Sequence, residues 1–222
     1  FEIVGDELRV AAGASLDFEA ASSHSVRVKV TDSSGLTHEK VLSIGIQDVN
    51  ETPTGIAISA NSVAENSGTG AEIGILTGSD PDGDVLTFSL TDDAGGRFAI
   101  SGNRLVVGPH AALDFEQAAS HQIVVRATDP DGLHVERTLT ITVTDVNEAV
   151  SGLSISASSV LENARPGTTI GTLAAGDPDG DAVTYSLIDD AGGRFVVVGD
   201  KLRVAPGAVL DFEAARNHNI TV

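Results

Sequence analysis

Acidic and amide side chains recur in pairs two residues apart: Asp80, Asp82 and Asp84 around Pro81 and Gly83, Asp114 with Glu116, and Asp145 with Asn147. In extended backbone, residues i and i+2 point the same way, so each motif presents its oxygens together. Converging carboxylates with no basic partner repel one another. A hard divalent cation removes that repulsion, and calcium accepts six to eight oxygens in irregular geometry. A paired Asp114 and Glu116 could also serve glycosidase chemistry. Their recurrence in every copy of a repeat, without an aromatic cleft, favours metal ligation.

The repeat has a period of 97 residues. LDFE occurs at 16–19, 113–116 and 210–213; DAGGRF at 93 and 190; DPDGD at 80 and 177; DVNE at 48 and 145; and Glu-Asn at 65 and 162. A unit of this length matches an autonomous domain rather than a solenoid repeat. Boundaries after the DVNE strings predict one complete module at 54–150. They leave the later part of a module at 1–53 and the earlier part of the next at 151–222. The ends thus read as cuts within modules of a longer protein, or as halves that complement one another between chains.

Within a module the dominant period is two. In RTLTITVTD, Leu139, Ile141 and Val143 share one face and threonines the other, as in a half-buried antiparallel strand. Similar runs lie at 55–59, 72–78, 85–90, 97–100, 104–107 and 121–128. Seven short strands separated by DPDG and GG turns predict an all-β, immunoglobulin-like antiparallel sandwich. Only 111–120 reads as able to hold a helical turn.

The 222 residues include 32 acidic and 13 basic side chains, a formal charge of −19, and no Cys, Met or Trp. Such a surface repels nucleic acid. Disulfides, thiolate metal sites and cysteine nucleophiles are excluded. No apolar run is long enough for a membrane-spanning helix, so no membrane insertion is expected in this segment. The DPDGD string opens like an EF-hand loop, but Thr91 and Ile188 stand where the bidentate glutamate belongs. No GxSxG or HExxH motif occurs. His24, His121 and His218 repeat at 97 and read as structural positions at the start of a strand, so no enzyme is expected.

Taken together the motifs resemble cadherin-type repeats, in a bacterial version, over the whole chain. The resemblance implies calcium ligands drawn from VAEN (Glu65), LDFE (Asp114, Glu116) and DVNE (Asp145, Asn147, Glu148), with Asp177 and Asp179 from the following DPDGD. One repeat earlier it implies Asp17, Glu19, Asp48, Asn50, Glu51, Asp80 and Asp82, with Asp129 from ATDPDG. Two departures stand out: Phe replaces the arginine of the family's LDRE motif, and DVNE replaces DxNDN. The family implies Ca2+ lodged between successive modules, stiffening an extracellular or secreted adhesin whose partners are calcium, other adhesin modules or surface polysaccharide. A calcium-dependent lectin of the biofilm matrix is the competing expectation. A lectin would want exposed aromatics, and Tyr185, at the place of Phe88, alternates with Val183 and Leu187 as a core residue would.

Overall fold

A computed structural model describes residues 1–222. It contains sixteen strands and no helix: β1 (Glu2–Val4), β2 (Glu7–Arg9), β3 (Ser23–Thr31), β4 (Thr37–Gly45), β5 (Gly55–Ile58), β6 (Ser62–Ala64), β7 (Glu72–Ser79), β8 (Thr87–Asp92), β9 (Phe98–Ser101), β10 (Arg104–Val107), β11 (Ser120–Thr128), β12 (His134–Thr144), β13 (Ser151–Ile155), β14 (Thr169–Gly176), β15 (Phe195–Val198) and β16 (Lys201–Val204). They form two compact units, Phe1–Thr144 and Asp145–Val222.

The first unit holds a sandwich of two four-stranded sheets, ordered β5-β7-β10-β9 and β6-β12-β11-β8. The alternation in β11 and β12 acts as the sequence predicts. Ile123, Val125, Leu139, Ile141 and Val143 all point inward and are buried, against Ile56, Ile73, Leu76, Phe98 and Leu105 from the facing sheet. Burying each such side chain contributes roughly 1.5–3 kcal/mol. Seven strands are expected in this module and eight are found. The additional β6 is three residues long and pairs parallel with β12, Val63 opposite Val143. Its brevity hides it from a period-two search, and its partner lies 80 residues away.

Two backbone features explain repeated residues. Asn66 and Asn163 have φ of 57° and 55°, a left-handed conformation that asparagine tolerates better than most side chains; this is why asparagine follows the glutamate in both copies. Gly74 lies so close to Ala60 that an added Cβ would stand 2.2 Å from the Ala60 carbonyl oxygen, and Gly171 repeats the approach to Ala157 at 2.3 Å.

Also in the first unit, β1 pairs with β2, and β3 pairs with β4 over nine residue pairs. The second unit is built on the sheet β13-β14-β16-β15, with Ile170, Phe195, Leu202, Val204 and Leu210 as its buried apolar cluster.

Candidate metal centre

The LDFE segments fold as single turns. Ala118 N donates to Asp114 O at 3.0 Å, and the Asp114 carboxylate caps the turn by accepting from Gln117 N at 2.8 Å. Asp17 does the same, its Oδ1 accepting from Ala20 N at 2.8 Å. This satisfies the one helical turn expected at 111–120. It also sets Glu19 and Glu116, two residues further on, at the end of each turn. The DPDG segments are turns in which a side chain holds the backbone: Asp82 N donates to Asp80 Oδ1 at 3.0 Å, and Gly83, with φ of 78°, donates to Asp80 O.

These turns and the DVNE segment bring Glu19, Asp48, Glu51 and Asp82 together. One carboxylate oxygen from each lies within 4.8 Å of the others. Glu51 N donates to Asp82 Oδ2 at 2.8 Å, and Asn50 Nδ2 donates to Asp129 Oδ2 at 2.9 Å. Asp82 also belongs to a second group with Asp80 and Asp84. Asp82 Oδ1 and Asp80 Oδ2 are buried without a hydrogen-bond partner, and none of the five ion pairs in the chain reaches either group.

The electrostatics follow from that crowding. Glu51 keeps solvent contact, yet partial desolvation, then the shared hydrogen bond with Asp82, then the charges of Asp82, Glu19 and Asp48 push it up to about 7. For Glu19 a backbone hydrogen bond pulls downward, but desolvation and the charges of Asp48, Asp82 and Asp17 outweigh it, and the net shift is upward. Asp84 is raised by desolvation and then by Asp80, Asp82, Asp129 and Asp131. Asp129 goes the other way: the hydrogen bond from Asn50 leads, assisted by backbone donors Gly132 and Leu133, against the cost of desolvation. Asp129 is 4% exposed, and without those donors its charge would be costly.

Further along the first unit, Glu65 is buried, accepts from Phe115 N at 2.8 Å, and shares a 4.8 Å group with Asp114 and Glu116. The second unit repeats the DVNE–DPDG linkage: Glu148 N donates to Asp179 Oδ2 at 2.8 Å, and Asn147 Nδ2 to Glu148 O at 3.1 Å. Asp179 Oδ1 is buried without a hydrogen-bond partner. Asp177 turns its segment through Gly180 N, and Asp145 opens the unit. Glu162, Asp211 and Glu213 form a further group. Asp84 joins Asp80 and Asp82, as the i, i+2 spacing of that motif predicts, while the third copy is not among the expected ligands; stepping Glu65, Asp114 and Glu116 forward by 97 would have found it.

An all-oxygen donor set, with buried lone pairs left over and no cation near it, fits calcium. Glu19, Asp48, Glu51 and Asp82 would hold it, and Asp82 also belongs to the neighbouring group with Asp80 and Asp84. Zinc and copper prefer nitrogen and sulfur donors, which these groups lack. The three histidines belong elsewhere: His24, His121 and His218 stand 6.0, 5.9 and 5.8 Å from the rings of Phe1, Phe98 and Phe195. Tyr185 is half-buried, as is Phe88, which packs against the sandwich core.

Comparison with known proteins agrees with this architecture. Residues 60–144 match the family model described as Cadherin domain. The chain is 33% identical over 171 residues to cadherin-related family member 1 of Xenopus laevis, covering 72% of this chain and 20% of that protein. It is 32% identical over 188 residues to human protocadherin-16, covering 78% of this chain and 6% of that one. The chain therefore spans a small fraction of the relatives it matches. Among solved structures, extracellular cadherin domains 3-6 of protocadherin gamma B2 align with a TM-score of 0.62 at 23% identity, covering 91% of this chain and 53% of that one. Mouse protocadherin-24 EC1-3 aligns with a TM-score of 0.61 at 20% identity, covering 90% and 71%. The fold is cadherin-like, and the sandwich between residues 60 and 144 matches the Cadherin domain.

Proposed function

We propose that this chain is a calcium-stiffened segment of the stalk of an extracellular adhesin, bacterial in origin, built from 97-residue cadherin modules. The Glu19–Asp48–Glu51–Asp82 group carries the reading: four carboxylates converge within 4.8 Å with no basic partner. Glu19 from the LDFE turn, Asp48 and Glu51 from the DVNE segment and Asp82 from the DPDG turn, which are separate in sequence, would hold a Ca2+ that would offset their negative charge. Asp17 and Asn50 shape the site, and Asp80 and Asp129 hold the turns that face it. Glu65, Asp114 and Glu116 would hold a cation in the next copy of the motif, and Glu148 with Asp179 repeats the Glu51–Asp82 arrangement. Extracellular modules of this kind bind calcium at about 0.1–1 mM, which suits the outside of a cell. The recurrence of the same acidic motifs at a period of 97 residues supports a spacer over an enzyme.

The test is small-angle X-ray scattering in EGTA and in millimolar calcium, at low protein concentration, with a thermal melt on each sample. Calcium is expected to narrow the range of maximum dimensions and to raise Tm by ligand linkage. Identical scattering and identical melts would overturn the proposal.

A further inference from the structure

In the second unit β15 stands last in the sheet β13-β14-β16-β15, as β9 stands last in β5-β7-β10-β9 of the complete sandwich. The open edge therefore belongs to the repeat itself. The opposite edge of the complete sheet is tied down, since Arg137 Nη1 donates to Ile56 O of β5. Edge strands are ordinarily guarded by charge, proline or a bulge. β15 reads Phe-Val-Val-Val and pairs with β16 in unbroken register, with none of these guards.

The register decides which backbone groups face the open edge. Val198 and Lys201 flank the two-residue turn Gly199-Asp200, with Gly199 at φ of 63°, and so exchange a close pair of hydrogen bonds. Strand alternation then turns Val196 toward Arg203, and points the amide and carbonyl of Val197 outward together with Phe195 C=O and Gly199 N–H. Two bonds fix this phase: Ala205 N donates to Arg194 O at 2.9 Å, while Val204 N turns away to Thr168 O at 3.0 Å. Val197 packs on the core of its unit, which leaves Val196 and Val198 on the outer face, Val198 being 53% exposed.

We propose that two copies join edge to edge through β15, antiparallel about a two-fold axis at Val197, so that two four-stranded sheets become one. Val197 of each copy exchanges two backbone hydrogen bonds with Val197 of the other, and Gly199 N–H of each reaches Phe195 C=O of the other. On the outer face Val196 lies opposite Val198 of the second copy, which covers that exposed side chain. Arg194 falls opposite Asp200 of the second copy, and opposite charges across a strand pair attract. The same axis placed on Ile100 of β9 would set Ala99 against Ser101 and Arg97 against Asn103, and placed on Ile3 of β1 it would set Glu2 against Val4. β15 alone offers β-branched pairs flanked by opposite charges. The contact is isologous, so it closes as a dimer. One short strand buries far less than the roughly 1,200 Å² of a stable interface, so this is a weak lateral contact between chains held side by side.

Because the chain has no cysteine, the register can be trapped. Residues opposite one another between hydrogen-bonded pairs bring their Cβ atoms within disulfide reach. Val196→Cys chains mixed with Val198→Cys chains should give a disulfide-linked dimer under mild oxidation, in clear excess over either variant alone. In sedimentation velocity from micromolar to millimolar protein, the mass of the unmodified chain should rise toward that of a dimer and stop there. Val198→Lys puts a guarding charge at an exposed position and should abolish the rise while leaving Tm unchanged. A monomer at every concentration overturns the proposal, as does a mixture that cross-links no better than its components. Undiminished association of Val198→Lys would also overturn it, since the dimer would then use another surface.

Discussion

Asn50 Nδ2 donates to Asp129 Oδ2 at 2.9 Å across 79 residues of sequence, tying the DVNE segment to the loop between β11 and β12. Asp129 is buried and held below the usual carboxylate range, first by Asn50. A depressed carboxyl stabilises the fold above its unfolded pKa, and that contribution is lost as pH falls through the lower folded value. Asn50→Leu removes the leading donor and strands a buried charge. It should lower stability at pH 7 by about 1–3 kcal/mol, with a smaller loss at pH 3, where the unfolded carboxyl is protonated. Urea titrations at the two pH values read the difference.

Asp82 belongs to both carboxylate groups, and its Oδ1 is buried without a hydrogen-bond partner. Asp82→Asn keeps the shape and removes the charge. Calcium affinity, measured by isothermal titration, should fall at least about tenfold, equivalent to 1.4 kcal/mol. Asp6→Asn, at an exposed turn, should leave it unchanged; equal effects in both would remove Asp82 from the ligand set.

Glu51, pushed up to about 7, sets a pH dependence with a definite sign. Without calcium the folded state binds more protons than the unfolded state between about pH 4.5 and 7, so apo stability falls as pH rises through that window. Calcium competes with the same proton, so affinity should weaken as pH drops from 8 to 6, and binding near pH 6.5 should release protons. Titrations in buffers of different ionisation enthalpy would count them. Glu51→Gln should flatten the dependence.

His121 packs on Phe98, and burial, followed by the charge of Arg97, lowers its pKa. A depressed histidine costs nothing above about pH 6.5, where both states are neutral. Below that the unfolded state takes up the proton first, so stability falls as pH drops from 6.5 toward the folded value. His121→Phe should reduce that slope in thermal melts at pH 5, 6 and 7.

At Gly74 a Cβ would meet the Ala60 carbonyl at 2.2 Å, backbone against backbone. Gly74→Ala should destabilise the sandwich by about 1–3 kcal/mol or more, seen as a lower urea midpoint. Gly102→Ala, in open space at the β9–β10 turn with φ of 65°, should cost about 1–2 kcal/mol from strain alone.

The sequence by itself determined the modular period, the inward faces of β11 and β12, and the pairing of carboxylates at i and i+2. Each of these is a local or strictly periodic property, written in the order of neighbouring residues. Tertiary structure decided which motifs meet. Glu51 finds Asp82 31 residues on, Asn50 finds Asp129 79 residues on, and β6 finds β12 80 residues on, and no local pattern encodes such closures. It also decided the electrostatics: identical Asp and Glu side chains diverge, Glu51 rising to about 7 while Asp129 falls. The reason is that donors and neighbouring charges, supplied by distant segments, select the protonation state each carboxyl prefers.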